Sequence, residues 1–253
     1  MNTMSSLLKA LLVGSVVVAQ VSCTAAPSAR PVGPQSPAHR SSSQAGRVPA
    51  FFVENRGQID PSVTYYLQGR DADVFLQPTQ TTLVWHPSLG SDRFSGVASV
   101  QIEFSGANAA ARIEGRDRTP TRVSYFTGPA SAWRTNLETF ATVHYRDVWP
   151  GIDLTYASEG GHLKYTMVVH PGADPAAIAL VYRGAQAVAV DEGGQLLTRT
   201  SAGTLIEGAP VVYQERTGAR TPVAAQYRVA PLADGQGATV RFALGAIDPA
   251  LDL

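Results

Sequence analysis

The sequence predicts an all-β fold, an antiparallel β-sandwich-like domain that begins near Phe51 and extends to residue 253. Two observations predict it. Apolar residues alternate with polar ones in short segments, and Gly, Pro, Asn or Asp interrupts these segments about every 8 to 12 residues, whereas helical periodicity is nearly absent. With 253 residues, of which 44% are hydrophobic and 16% charged, the chain is long enough for one large core or for two packed β subdomains that divide near Pro150.

Residues 1–22 have the composition of an export signal. One positive charge at Lys9 precedes an apolar run from Ala10 to Ala19, and small residues follow. The run is too short for a transmembrane span of ~20 residues. We therefore predict a signal peptide over residues 1–22 and an exported protein, located in the periplasm or at the cell surface.

Cys23, the only cysteine of the chain, directly follows this signal. The segment "AQVSC" resembles a bacterial lipobox, although Gln20 stands where such signals usually carry Leu. The resemblance implies that Cys23 is lipidated and anchors the protein to a membrane, and ordinary signal cleavage near this point is the alternative. A single cysteine excludes any disulfide within the chain.

Residues 23–50 are rich in Pro, Ser and Ala and contain no aromatic residue. This composition predicts a disordered tether, which as a flexible coil would span on the order of 30 Å. All the aromatic residues of the chain follow it. The folded domain is therefore expected to comprise residues 51–253.

Within that domain, alternation is clearest in three segments, "GIDLTY", "HLKYTMVV" and "TVRFAL", which are residues 151–156, 162–169 and 239–244. Each predicts a strand with one buried face. Gly160 and Gly161 would join the first two as a hairpin.

Turn residues predict the other connections. Residues 191–194, "DEGG", and the pair Thr217 and Gly218 lie between alternating segments, where glycine accepts the positive φ of a tight turn. Asp174 and Pro175 predict one helical turn, with Asp174 as its N-cap.

Five polar residues near the double glycine suggest a catalytic loop: Asp153, Glu159, His162, Lys164 and His170. In a hairpin, however, Asp153, His162 and Lys164 belong to polar faces that normally contact water. On a continuous strand His162 and His170 would be roughly 26 Å apart, so they cannot share a metal. His144 could meet either of them only through cross-strand pairing, which the sequence does not establish.

Other patterns argue against most enzyme classes. The chain has no H-E-x-x-H or paired-cysteine metal motif and no G-x-S-x-G nucleophile motif. Residues 71–76, "DADVFL", begin like a calcium loop but lack its later ligands and its central glycine. We therefore predict a non-enzyme without metal or cofactor. Glycan processing is the alternative, because glycosidases use two acids and the chain offers pairs such as Asp153 with Glu159 or Glu103 with Glu114.

Charge and aromatic content suggest the kind of partner. The 20 basic and 20 acidic residues give a formal charge of zero, so no net field draws the chain to nucleic acid. Trp133, Arg134 and Trp149 are candidate ligand-binding residues, because aromatic rings stack on sugars and anchor protein interfaces; a place in the core is the alternative for the two tryptophans. The arginine-rich residues 115–122, "GRDRTPTR", would contact an anionic glycan or form a solvated loop.

Several blocks together resemble a known family. They are "FFVENRGQID" at 51–60, "VSYFTG" at 123–128, "WRTNLETFATVHYRDVWPGIDLTY" at 133–156, "VVHPGADPAAI" at 168–178 and "APVVYQE" at 209–215. In this order they resemble the N-terminal domain of bacterial surface proteins that carry SBBP-type β-propeller repeats. The resemblance implies an exported β-rich module of uncharacterised activity, with no catalytic residues to carry over.

The chain departs from that family in two ways. Where the family typically reads L-E-Y-D-F, residues 163–167 read "LKYTM", so any ligand role of the two acids is in doubt here. The sequence stops at "AIDPALDL", about where propeller repeats would begin, and we expect a stand-alone version or a truncated gene.

These observations together predict an exported, lipid-anchored, non-catalytic module that binds a glycan or a protein of the cell envelope. The alternatives are a glycan-processing enzyme that uses a carboxylate pair and a structural partner or cap for a separately encoded β-propeller.

Overall fold

The computed structural model describes residues 17–22, 50–69, 72–85, 97–159 and 162–253, and for residues 17–22 the backbone alone. Within these ranges the chain forms 18 strands and two short 3-10 turns, with no α-helix. Every strand pair is antiparallel. The predicted all-β fold is confirmed. In the part of the chain described here, no helix has the length and apolar character needed to cross a membrane.

The strands, in chain order, are β1 (Val17–Ser22), β2 (Phe52–Glu54), β3 (Tyr65–Gln68), β4 (Ala72–Gln77), β5 (Gln80–Trp85), β6 (Ala98–Phe104), β7 (Arg112–Tyr125), β8 (Arg134–Trp149), β9 (Ile152–Glu159), β10 (His162–Val169), β11 (Leu180–Arg183), β12 (Ala187–Val190), β13 (Leu196–Thr200), β14 (Gly203–Glu207), β15 (Val212–Arg216), β16 (Ala219–Val223), β17 (Ala225–Pro231) and β18 (Gly237–Leu244).

Sixteen of these strands form one continuous sheet in the order β12-β13-β14-β1-β10-β9-β8-β2-β3-β4-β5-β6-β11-β18-β17, and β7 joins it by pairing with β8. β15 and β16 form a separate hairpin. Three runs of consecutive strands, β3 to β6, β8 to β10 and β12 to β14, are simple meanders. β2 and β1 connect the meanders, and β11 connects β6 to β18, by pairing with strands distant in sequence, so the sheet brings remote parts of the chain together.

The predicted hairpins are present. β9 and β10 pair along their whole length, with Tyr165 opposite Tyr156. Residues 191–194 connect β12 to β13, and Thr217 and Gly218, both with positive φ, connect β15 to β16. The helical turn is a 3-10 turn at Pro175–Ala177, and the Asp174 carboxylate accepts the N–H of Ala176.

One main hydrophobic core holds the sheet together. Its residues come from strands on both sides of Pro150, and the largest fully buried ones include Trp149, Tyr145, Tyr182 and Phe52. Burial of one such side chain stabilises the fold by roughly 1.5–3 kcal/mol. A smaller cluster of Val53, Val63 and Tyr66 is a second group of buried residues. Phe52 and Val53 are neighbours in β2 that belong to different clusters, because successive side chains of a strand point to opposite faces.

The N-terminal features lie mostly outside the described residues. These features are Cys23, the predicted lipid site, and residues 23–49 of the predicted tether. Asp71, the first residue of the calcium-like segment, and the double glycine Gly160 and Gly161 also lie outside. Val17–Ser22, the end of the predicted signal, forms β1 between β10 and β14.

Candidate functional site

A polar cleft of about 360 Å³ opens beside strands β8, β9 and β10. It is lined by charged and ionisable side chains, namely Arg116, His144, Arg146, Asp147, Asp153 and His170. Such a concentration of ionisable groups in one concave place is the usual starting point for a functional-site hypothesis.

An irregularity in β8 shapes the cleft. The register between β8 and β9 shifts between Tyr145 and Trp149, and Asp147 within this interval has a φ of 52°, a left-handed conformation that residues other than glycine seldom adopt. The N–H of Asp147 donates to Oδ1 of Asp153 at 2.8 Å. The bulge is therefore tied to the carboxylate at the centre of the cleft.

Asp153 lies between two histidines. Its Oδ2 is 3.2 Å from Nε2 of His170 and 3.5 Å from Nε2 of His144. The other ring nitrogen of His170, Nδ1, is 3.0 Å from Oδ1 of Asp252. The two carboxylates are largely buried, with 15% of each side chain exposed, whereas 44% of the His170 side chain is exposed. The result is a chain of four ionisable groups from His144 through Asp153 and His170 to Asp252, in which the ring of His170 is the most exposed member.

The C-terminal residues position Asp252. Leu253 and Val169 exchange two backbone hydrogen bonds of 2.9 and 2.7 Å, and the N–H of Gly172 donates to the carbonyl of Pro249. Gln214 holds the same segment from the other side through two hydrogen bonds with the backbone of Asp248. The end of the chain is thus fixed alongside β10, which brings Asp252 to His170.

The two histidines differ in their electrostatics. Burial and the nearby Arg116 lower the pKa of His144 below its ordinary value. Partial burial also acts to lower the pKa of His170, but the hydrogen bonds that His170 donates to Asp153 and Asp252 outweigh it and raise that pKa. Near neutral pH, His144 is therefore the neutral imidazole of the pair and His170 the one that more readily carries a proton.

The partners of His144 assign its tautomer. Its Nδ1 is 3.0 Å from Oγ1 of Thr155, and its Nε2 faces the Asp153 carboxylate. Because a carboxylate only accepts and the Thr155 hydroxyl can donate, neutral His144 carries its proton on Nε2.

The ionisable residues of the cleft are engaged with one another and do not form a metal site. Among the residues that the structure describes, no three His, Cys, Asp or Glu side chains are arranged to hold a metal ion. The ring nitrogens of His144 and His170 already face Asp153, Asp252 or Thr155 as hydrogen-bond partners. The chemistry that the cleft offers is proton exchange and the binding of charged or polar groups.

Of the five polar residues singled out around the double glycine, the structure brings two into the cleft, Asp153 and His170. Glu159 forms an ion pair with Lys164 at 3.2 Å, and His162 is exposed. Asp153 lies on the polar face of the sheet as expected, but two histidines cover it.

Sequence reasoning left the position of His144 open and did not single out Arg146, Asp147 or Asp252. His144 reaches Asp153 through the pairing of β8 with β9, and Asp252 comes from a segment far along the chain. The only signal for His144 was that cross-strand pairing could bring it to another histidine. The proposed acid pairs are engaged elsewhere, since Glu103 pairs with Arg183 and Glu114 with two arginines.

The candidate ligand-binding aromatics lie in different environments. Trp133 is 45% exposed and packs edge-to-face against Phe126, which is 63% exposed, with ring centroids 5.1 Å apart. Arg134 follows directly and donates from Nε to the carbonyl of Arg56 at 2.7 Å. Trp149 is 1% exposed and donates its indole N–H to the Ser105 carbonyl, so it presents no face to a ligand at the surface.

The arginine-rich segment 115–122 is part of β7 and carries its own counter-charges. Arg118 and Arg122 both pair with Glu138 on β8, and Arg116 pairs with Glu114. These pairs match the interpretation of a solvated strand face more closely than that of a free basic patch.

A second buried ionisable group was not singled out by the sequence. Glu207 of β14 is completely buried and accepts hydrogen bonds from the hydroxyls of Tyr182 at 2.8 Å and Tyr165 at 3.3 Å. Burial raises the pKa of Glu207 to about 7, although the two tyrosine hydrogen bonds act in the opposite direction.

Comparison with known proteins identifies a family but no characterised relative. The family described as "Domain of unknown function (DUF7948)" matches residues 52–253. Neither a curated protein nor a solved structure matches the chain. The match covers most of the chain and nearly all of the folded region, and the chain therefore belongs to the DUF7948 family of uncharacterised domains.

Proposed function

We propose that this protein is an exported, non-catalytic binding module of the cell envelope, anchored by a lipid at Cys23, and that residues 126–134 contact its partner. We call these residues the aromatic loop. The observation that supports this proposal is the exposed, edge-to-face pair of Phe126 and Trp133. Large aromatic side chains that remain exposed at a fixed position are typical of surfaces that bind sugars or proteins.

The aromatic loop has a defined shape before any partner arrives. A 3-10 turn at Ala130–Ala132 is closed by the N–H of Ala132, which donates to the Pro129 carbonyl at 2.8 Å. The indole N–H of Trp133 donates to the carbonyl of Gly128 at 3.2 Å. Fixed rings lose little conformational entropy on binding, so a loop of this kind binds at a lower entropic cost than a flexible one.

Recovery of partners from envelope extract tests the proposal. The processed chain is immobilised beside a Trp133→Ala variant and a Val211→Ala variant, the control, because Val211 is also exposed, at 58%, but lies outside the aromatic loop. An aromatic anchor at the centre of an interface contributes about 2 kcal/mol or more, so the Trp133 variant should retain roughly thirtyfold less partner. Equal recovery by all three proteins, or recovery of nothing, would contradict the proposal.

The nature of the recovered partner distinguishes a module that assembles with β-propeller repeats from one that binds a glycan. We propose that the domain is related to those that precede SBBP-type β-propeller repeats, and the sequence blocks from Phe51 onward support this relationship. Recovery of a propeller protein would mean that the module assembles with such repeats. Recovery of polysaccharide would mean that it binds a glycan.

The polar cleft supports a second candidate, a glycan-processing enzyme. The observation that favours it is that His144 and His170 share the Asp153 carboxylate while their pKa values shift in opposite directions. Titratable neighbours whose pKa values are pushed apart are suited to general acid and general base roles. Asp147 and Asp153 would provide the two carboxyl groups of the cleft.

Release of reducing ends from envelope polysaccharide measures this second candidate. If the cleft is catalytic, Asp153→Asn should lower the rate by at least about a hundredfold, the usual contribution of a general acid or base. Asp117→Asn is the matched control, because Asp117 binds Thr142 on the neighbouring strand and does not line the cleft. The absence of release by the unaltered protein would remove the candidate.

A further inference from the structure

The sheet contains a place for one strand between β10 and β14. β1, the segment Val17–Ser22, fills it and pairs antiparallel with both neighbours. Its partners are residues 163–167 of β10 and residues 206–207 of β14. We call the space between these two edges the strand slot.

The occupant of the strand slot belongs to the segment expected to be removed on export. Removal of residues 1–22 would leave β10 and β14 with unpaired N–H and C=O groups facing each other across the width of one strand. Such edges readily add an extended segment from another chain, because the backbone groups regain their hydrogen bonds.

The strand slot is held open by contacts that do not involve β1. β10 is paired along its full length with β9, and β14 with β13. The hydroxyl of Tyr165 on β10 donates to Oε2 of Glu207 on β14 at 3.3 Å, which bridges the two edges of the slot through side chains. Glu207 is fixed in turn by Tyr182 of β11. The width of the slot is therefore set in advance, which lowers the cost of binding a strand.

The register shows which sequence fits. Positions 17, 19 and 21 of β1 lie opposite Met167, Tyr165 and Leu163, and all three of these β10 residues are buried or half-buried members of the core region. Directly opposite residues of an antiparallel pair share one face of the sheet. An occupant therefore needs aliphatic residues at alternate positions, as the sequence "VVAQVS" has at Val17, Ala19 and Val21.

We propose that the strand slot is a binding site for an extended segment of another exported protein, with aliphatic residues at alternate positions, and that Val17–Ser22 occupies it only until the signal is removed. This proposal rests on the signal removal that the proposed function includes, but its site is separate from the aromatic loop, so a failure of partner binding at that loop would leave it intact. The partner segment would run antiparallel to both β10 and β14 and would need about the six residues that β1 supplies.

Binding of a synthetic peptide to the processed chain tests the proposal. The probe is a labelled peptide that contains "VVAQVS", and the control is the same peptide with Ala19→Pro, which removes one backbone donor and disturbs the strand. We expect the probe to bind and the proline peptide to bind at least tenfold more weakly. Amide exchange in residues 163–167 and 205–207 should slow at least tenfold when the probe binds.

Four results would overturn the proposal. Mass spectrometry of the processed chain could show that residues 17–22 are retained, which would make β1 a permanent part of the fold. The two peptides could bind equally well, or the probe could fail to bind a processed chain whose thermal unfolding is cooperative. The unprocessed chain, whose own β1 fills the strand slot, should not bind the probe, and binding at the same affinity would also contradict the proposal.

Discussion

Glu207 and Asp153 are two carboxyl groups that each contact two ring-bearing side chains, but the partners and the surroundings differ. Glu207 accepts hydrogen bonds from two tyrosine hydroxyls in the interior of the sheet, and Asp153 contacts two histidine rings in a cleft at the surface. Tyrosine hydroxyls bring no charge, so burial dominates and raises the pKa of Glu207 to about 7. Histidine rings can take up a proton, and in the cleft it is the pKa of His170 that rises.

The comparison shows which property changes when each group gains or loses a proton: the stability of the whole fold or the charge within the cleft. In the interior, a proton lost from Glu207 leaves a charge with no compensating cation among its hydrogen-bond partners, and the cost falls on the stability of the whole fold. In the cleft, the proton resides on a ring that is partly exposed, and its loss alters the local charge pattern that a ligand would meet. The following predictions test this division between global and local effects, beginning with the largest.

The strongest test is the pH dependence of stability. In the unfolded chain Glu207 has the ordinary glutamate pKa of 4.5, and burial raises this pKa to about 7 in the folded protein. A group with a raised folded-state pKa stabilises the protein below its unfolded pKa, and this contribution is lost as pH rises toward the folded value. At roughly 1.4 kcal/mol per unit, the loss between pH 4.5 and 7 is about 3 kcal/mol. Urea unfolding of the unprocessed chain, in which β1 pairs with Glu207, at a series of pH values measures it.

Glu207→Gln is the control for this pH dependence, because an amide of the same shape does not ionise. The variant should lose most of the decline between pH 4.5 and 7 and should be more stable than the unaltered protein above pH 7. An identical decline in both proteins would show that other groups cause it, and the contrast between Glu207 and Asp153 would then break down.

A smaller effect is expected when Glu207 loses one partner. Tyr165→Phe removes the hydroxyl that donates to Oε2, which should cost about 1 kcal/mol of unfolding free energy. Because that hydrogen bond lowers the pKa of Glu207, its loss should also move the pH transition upward. Tyr156→Phe is the matched control, since the Tyr156 hydroxyl accepts a hydrogen bond from Thr81 and does not contact Glu207. An equal shift in the control would argue against a specific role of Tyr165.

The smallest effect on stability should come from the cleft. Asp153→Asn removes a carboxylate that raises the pKa of both His170 and His144, so both pKa values should fall. The free energy of unfolding should change by less than about 1 kcal/mol, because His170 is partly exposed and its ion pair is screened by solvent. NMR titration of the ring protons measures the pKa values. Glu159→Gln, at an ion pair outside the cleft, is the control and should leave the pKa values of both histidines unchanged. A loss of cooperative unfolding in Asp153→Asn would contradict a purely local role of Asp153.

Local patterns predicted the elements of the fold well. The β9–β10 hairpin, the turn at Thr217 and Gly218 and the capped turn at Asp174 each depend on residues that are close in sequence, where alternation and turn chemistry act directly. The order of the strands does not follow from such patterns, because β2, β11 and β1 pair with strands that lie far away along the chain.

The sites were harder to predict for the same reason. His170 meets Asp252 across 82 residues, and Tyr165 meets Glu207 across 42. Alternation in β14 puts Glu207 on the same face as Leu205, which indicates burial but names no partner. Trp133 and Trp149 look equivalent as letters in the sequence, and only the packing of the sheet separates an exposed ring from a core residue.

The docking of the last residues beside β10 has a practical consequence. Leu253 pairs with Val169, and its neighbour Asp252 completes the contacts of His170. An affinity tag placed directly after Leu253 would therefore begin within reach of the cleft and could compete for the space that a ligand needs. Removal of the final two residues would free one side of His170, but it would also remove the two backbone hydrogen bonds to Val169 of β10 and the buried side chain of Leu253. A purification handle inserted between Cys23 and Phe51 would avoid both the cleft and the segment that is expected to be removed on export.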